Sequence, residues 1–129
     1  MGGFQGTVDF NPDGGVNNLT STSPSDNATF IARYSASTGA YSYAQMIGHP
    51  TEYVIGRGLQ IEGNDMYIPF QYAGTVDFQP GAGTLNITGT RGAALEGGSV
   101  VKYNKNTLAA AWGYETGIFI NDGSYIDAN

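Results

Sequence analysis

The sequence predicts an all-β fold assembled from two copies of one structural unit. Three observations carry that prediction. The pentapeptide Gly-Thr-Val-Asp-Phe occupies residues 6–10 and recurs at residues 74–78. Short runs rich in Val, Ile, Thr, Tyr and Phe alternate with Gly, Pro, Asn and Asp, the pattern of antiparallel strands joined by turns, and no apolar pattern of helical period interrupts them. Twenty glycines, nine tyrosines and six phenylalanines in 129 residues, with no cysteine, describe a turn-rich β chain and not a disulfide scaffold.

The repeat reaches well beyond the pentapeptide. GTVDFNPDGGVNNLTST at residues 6–22 and GTVDFQPGAGTLNITGT at residues 74–90 share ten positions. After a slip of one residue, Ile31-Ala32-Arg33-Tyr34 matches Val100-Val101-Lys102-Tyr103, and Tyr43-Ala44 matches Trp112-Gly113. Met66-Tyr67-Ile68, just ahead of the second pentapeptide, resembles Ser124-Tyr125-Ile126, which has no pentapeptide after it. The missing continuation stands at the other end of the chain, so the sequence is circularly out of phase with its own repeat. Residues 1–129 are expected to form a single domain of two such units.

Each element follows from a β-rich run and its bounding turn. The first is expected over residues 4–10, where Val8 and Phe10 alternate with Thr7 and Asp9 and so face a core. Strands are then expected over residues 29–34, 40–45, 54–61 and 65–78, the last split or bent near 71–73, with a short extension at 84–88. The second unit supplies residues 99–103 and 109–114. Ser37-Thr38-Gly39 and Asn104-Lys105-Asn106 close hairpins, as do Glu62-Gly63-Asn64-Asp65 and Asn121-Asp122-Gly123, since Asn and Gly accept the positive φ of tight turns. Ala109-Ala110-Ala111 favours a helix locally, but its counterpart Ala40-Tyr41-Ser42 has strand character, and the repeat decides for strand. The terminal residues 124–126 are expected to complete a sheet begun at residues 4–10 of the same or an adjacent chain.

Composition excludes some functions. A net charge of −6 with five basic residues is unsuited to a phosphate backbone, whose binding is driven by Lys and Arg, so no nucleic acid partner is expected. No apolar run is long enough to span a bilayer, and Met-Gly-Gly-Phe-Gln lacks the basic and apolar regions of a signal peptide, which leaves a cytosolic protein or a piece of a longer exported one.

A unit of roughly 60 to 70 residues with four strands has the size of a β-propeller blade. The stretch Gly-Thr-Val-Asp-Phe-Gln-Pro-Gly-Ala-Gly-Thr-Leu-Asn-Ile-Thr, followed by Val-Val-Lys-Tyr, a turn and a strand bearing Trp112, resembles the bacterial β-propeller repeat family labelled SBBP. The first copy departs from the pattern at Asp13-Gly14 and at Tyr43. The resemblance implies two four-stranded antiparallel blades per chain and an extracellular or cell-surface location; it brings no catalytic motif. Two blades cannot close a ring, because each blade face needs a neighbour and an open edge invites aggregation. A homo-oligomeric ring is therefore expected, three chains giving six blades, with four giving eight as the next choice.

Candidate chemistry is sparse. Asp9 and Asp77 occupy equivalent places beside Gly-rich loops, where a carboxylate either helps to hold Ca²⁺ or accepts backbone N–H bonds from its own following turn. Without a clustered acidic pattern the second reading is preferred, and no other cofactor is indicated. Trp112 and Tyr43 are either sugar-stacking platforms or fillers between blades, and Tyr53, Tyr72 and Tyr114 are candidates for a rim pocket. His49 has no second histidine at ligand spacing. Asn18-Leu19-Thr20, Asn27-Ala28-Thr29 and Asn86-Ile87-Thr88 fit the glycosylation pattern, two of them within the repeat itself. The function expected is a non-enzymatic scaffold binding glycans or surface proteins multivalently; the alternatives are a hydrolase or lyase in a central channel and a purely architectural piece.

Overall fold

The computed structural model describes residues 1–22, 28–49, 53–89 and 96–117. Among these the chain is all strand and turn, with antiparallel pairing throughout. The strands are β1 (Gly2–Phe4), β2 (Gly6–Asp9), β3 (Asn18–Ser21), β4 (Ala28–Tyr34), β5 (Tyr41–Ile47), β6 (Val54–Gly56), β7 (Gln60–Glu62), β8 (Asp65–Ala73), β9 (Thr75–Asp77), β10 (Asn86–Thr88), β11 (Glu96–Asn104) and β12 (Ala110–Gly117). A smaller sheet runs β1-β4-β5 and a larger one β12-β11-β8-β6, with β7 also on β8; β2-β3 and β9-β10 form two separate hairpins. No sheet closes on itself among the described residues.

The run 4–10, expected to be continuous, is broken, and the run 65–78, expected to split or bend near 71–73, breaks just after it; glycine explains both breaks. The run 65–78 divides into β8 and β9 at Gly74, whose φ is +76°, and the run 4–10 divides into β1 and β2 at Gly6, whose φ is +69°. Side chains disfavour that backbone region, so the first residue of each pentapeptide turns the chain out of its sheet. The run 54–61 likewise splits into β6 and β7, both paired with β8. The expected strand at 124–126 and the turn at 121–123 lie outside the described residues, as does Asn27.

The hairpins β2-β3 and β9-β10 are built alike. Thr7 faces Thr20 and Thr75 faces Thr88, with hydroxyl–hydroxyl bonds of 3.0 and 2.8 Å. Val8 faces Leu19 and Val76 faces Ile87, so each hairpin carries an apolar side that folds back over its sheet. Phe10 and Phe78 follow, and each carbonyl accepts a hydrogen bond from a tyrosine of the covered sheet: Tyr34 Oη to Phe10 and Tyr103 Oη to Phe78, both at 2.8 Å. The two glycosylation-pattern sites within the repeat are the β3 and β10 strands themselves.

Strand alternation gives the larger sheet an inner face of Met66, Ile68, Phe70 and Tyr72 from β8 with Val101 and Tyr103 from β11, all fully or nearly fully buried. Val76, Phe78 and Ile87 of the β9-β10 hairpin cover part of it, and Ile31 and Ile47 of the smaller sheet join the same core. Thr29 fixes this sheet-on-sheet contact. Its hydroxyl donates to the Val54 carbonyl at 2.7 Å and accepts from Gly56 N at 2.9 Å. The opposite side of the smaller sheet forms a second core, in which Phe4, Ala28 and Ala44 pack with Phe10 and, at its margin, Val8 and Leu19.

Removing the tyrosine hydroxyls tests this scheme. Tyr103→Phe leaves a buried carbonyl without its partner and is expected to lower unfolding free energy by about 1–2 kcal/mol in urea titration. Tyr34 is 42 % exposed, so water replaces its hydroxyl and Tyr34→Phe is expected to cost less than about 1 kcal/mol.

Candidate functional site

The aromatic candidates separate into two groups. On the outer face of the larger sheet, Lys102 pairs in register with Tyr67 on β8 and with Trp112 on β12, so the three side chains lie in one row. Trp112 stands 6.1 Å from Tyr67 and 5.4 Å from Tyr114, ring centre to ring centre. Lys102 Nζ lies 5.6 Å from the centre of the Tyr67 ring and forms an ion pair with Asp65 at 2.6 Å. The hydrogen bond from Lys102 to the Asp65 carboxylate holds the ammonium pKa above its ordinary value. Tyr114 is 67 % exposed. The result is an aromatic strip with one positive charge set among three rings.

Tyr72 does not belong to any rim. It is fully buried on the inner face, in edge contact with Phe78 at 5.3 Å, because its strand register places it beside Phe70 and Ile68 in the core. Its hydroxyl finds no hydrogen-bond partner among the described residues, and burial, then the nearby Glu115 charge, push its pKa up to about 12. Tyr53 sits half-buried beside β6, at the edge of the larger sheet opposite Trp112 and Tyr114; its carbonyl accepts from Ala73 N at 3.3 Å. Of the four aromatic candidates, the structure brings together Trp112 and Tyr114 only. Sequence reasoning passed over Tyr67 and Lys102: the β11-β12 hairpin pairing with Trp112 is a signal for Lys102, whereas Tyr67 joins them only through the register of β8 with β11.

Trp112 and its counterpart Tyr43 have different surroundings. Tyr43 lies between the sheets, its hydroxyl donating to the Lys105 carbonyl at 2.7 Å, whereas Trp112 lies on the outer face. Burial raises the Tyr43 pKa. Beside Tyr43, a cavity of about 260 Å³ opens between the sheets, lined by Ile31, Arg33, Tyr43, Ile61, Met66 and Lys105.

The two repeated carboxylates hold their own turns. Asp9 Oδ1 accepts from Asn11 N at 3.0 Å and Asn17 N at 2.8 Å, and Asp77 Oδ1 accepts from Gln79 N at 3.0 Å and Leu85 N at 2.8 Å. These backbone bonds, first from Asn11 and then from Asn17, hold the Asp9 pKa below the usual carboxylate range. One oxygen of each residue thus bridges both ends of an eight-residue excursion. No group of three or more His, Asp or Glu side chains at metal-binding spacing occurs among the described residues. His49 is exposed in a cleft of about 210 Å³ beside Asp77 and Gln79.

Comparisons with protein families, with curated proteins and with solved structures found no match to this chain. No helix among the described residues is long and apolar enough to cross a membrane.

Two substitutions probe these sites. Asp77→Ala removes a charged acceptor shared by two backbone donors and is expected to destabilise by about 2 kcal/mol in urea titration. Tyr72→Phe deletes a buried hydroxyl that lacks a partner, and is expected to be neutral or stabilising by up to about 1 kcal/mol at neutral pH. Tyr72 also sets an alkaline limit. The unfolded side chain loses its proton near pH 10 and the folded one near 12, so its contribution is complete below about pH 10 and is lost as pH rises towards 12. Urea titrations at pH 9, 10 and 11 are expected to show falling stability, with a shallower fall in Tyr72→Phe.

Proposed function

We propose that this chain is a non-enzymatic scaffold of β-propeller type. Two blades per chain combine with those of sister chains into a closed ring, most simply three chains with six blades and next four chains with eight. The ring presents its equivalent Asp-held turns several times, for multivalent contact with glycans or proteins at a cell surface. Location outside the cell rests on the family resemblance described above.

The observation that carries this reading is the order of packing. The larger sheet is a meander whose spatial order, β6 and β7, then β8, β11 and β12, follows the chain, and its inner face takes the outer face of the smaller sheet. Two equivalent units packed face to back define an operation that a further copy can repeat. A unit with two unlike faces always leaves one of each at the ends of a stack, and a ring removes both ends. Multiplicity then raises avidity without demanding a strong single site.

Size-exclusion chromatography with light scattering tests the assembly. A monodisperse mass of three chains is expected, or of four; a well-folded monomer removes the basis of the reading. Glycan-array binding by the assembled protein, lost when the chains are separated, is the expected mark of the multivalent role.

A further inference from the structure

We propose that the aromatic strip on the outer face of the larger sheet, Val100, Lys102, Trp112 and Tyr114, docks onto the β4-β5 turn of a second copy of this chain. The proposal rests on the self-assembly reading above and names the surfaces that carry it.

The two hairpins β4-β5 and β11-β12 have the same register. Ile31 faces Gln45, Ala32 faces Ala44 and Arg33 faces Tyr43; Val100 faces Tyr114, Val101 faces Gly113 and Lys102 faces Trp112. Both ladders shift at the same rung, between Arg33 and Tyr34 and between Lys102 and Tyr103. Their turns are closed by equivalent bonds. Ser35 N donates to Ala40 O and Gly39 N to Ser35 O, each at 2.8 Å, while Asn104 N donates to Ala109 O at 2.9 Å and Leu108 N to Asn104 O at 2.8 Å. Gly39 and Leu108 both have positive φ, +75° and +59°. The two turns therefore present their carbonyls alike.

Within one chain, the β4-β5 outer face already docks on the β11-β12 turn. Tyr43 Oη donates to the Lys105 carbonyl at 2.7 Å, and Arg33 Nη1 donates to Asn106 Oδ1 at 2.8 Å. Ile31 is 3 % exposed in the core these contacts border. The equivalent positions on the second hairpin keep the same chemistry and are half-buried along their own sheet: Trp112 replaces Tyr43 as an aromatic donor, Lys102 replaces Arg33 as a cation, and Val100 replaces Ile31 as a branched aliphatic. Gln45 buries its side-chain oxygen, whereas its counterpart Tyr114 is 67 % exposed.

The receiving side is open. Ala36 and Ser37 stand where Lys105 and Asn106 stand in the second turn, and both are exposed. In the docked pair the Trp112 indole N–H donates to the Ala36 carbonyl of the second copy, and Lys102, already steered across the face by Asp65, donates to the Ser37 hydroxyl. Because donor and receiver are different surfaces, the contact is head-to-tail, and each added copy repeats it.

Complementation tests this directly. Trp112→Lys combined with Tyr114→Lys disables the donor face and leaves the receiver; Ser37→Arg, in an exposed turn outside either core, sets a like charge against Lys102 and leaves the donor. Circular dichroism and light scattering are read on each variant and on their mixture. Wild type is expected to assemble, each variant to be a folded monomer with affinity reduced at least about 100-fold, and the equimolar mixture to give a heterodimer that grows no further. An assembled wild type whose variants assemble equally well leaves the self-assembly reading intact and overturns this interface, and so does a mixture that stays monomeric. A monomeric wild type overturns both. Glycan binding by a monomer that Trp112→Lys abolishes overturns the interface in favour of a sugar platform.

Discussion

The constraint beneath this structure is that a β-sheet has two faces and a chain this short has too little apolar material to cover four of them. Each sheet meets the shortage in two ways. A hairpin carrying Val8, Leu19 and Phe10, or Val76, Ile87 and Phe78, folds back over the inner face of the sheet it belongs to. The outer face of the smaller sheet then fills the rest of the larger sheet's inner face, with Ile31 and Ile47 entering a core built on Met66, Ile68 and Phe70. Burial of side chains of this size is worth about 1.5–3 kcal/mol each, so this shared contact dominates the other interactions described. The hydrogen bonds of Thr29, Tyr43 and Arg33 fix its orientation more than its strength.

The pentapeptide is the device that makes the fold-back possible, and each of its residues has a part. Glycine takes the positive φ that turns the chain out of its sheet; threonine bonds its cross-strand partner; valine supplies the apolar side; aspartate clamps both ends of the following excursion through one oxygen; phenylalanine enters the core and offers its carbonyl to a tyrosine. Identity over five consecutive positions is accounted for by backbone and packing demands at every one of them. In both Asp9 and Asp77 it is Oδ1 that carries the two backbone N–H bonds, the turn-holding role that the sequence reading preferred for this carboxylate.

These demands explain what was legible in the sequence. Strand class, turn positions and the equivalence of the two halves follow from glycine placement and from residues such as Gly39 and Gly63, whose conformations few other residues adopt. The break at Gly6 was hidden, and that at Gly74 was placed a few residues early, because a glycine inside a β-rich run also reads as a flexible strand position; only their shared place at the head of the pentapeptide distinguishes them. The burial of Tyr72 was hidden for a related reason. Tyrosine suits either face of a strand, and the choice depends on register with Gly97 on β11, a pairing 25 residues away in sequence. The strip of Tyr67, Lys102 and Trp112 spans three strands, so no local spacing displays it.

The differences between the copies are as informative as the matches. Where the hairpins do the same job within the fold, the residues agree in kind, as with Tyr34 and Tyr103 or Thr7 and Thr75. Where their surroundings differ, the residues have enlarged: tyrosine at 43 corresponds to tryptophan at 112, and glutamine at 45 to tyrosine at 114. A half-buried position between two fixed sheets limits volume, since close packing penalises added atoms. An outer position has no such limit from its own chain, and larger aromatic rings there add contact area at small cost in side-chain freedom. On the self-assembly proposed above, these two larger residues stand where a partner must be gained from solution, and association costs freedom that an intrachain contact does not lose.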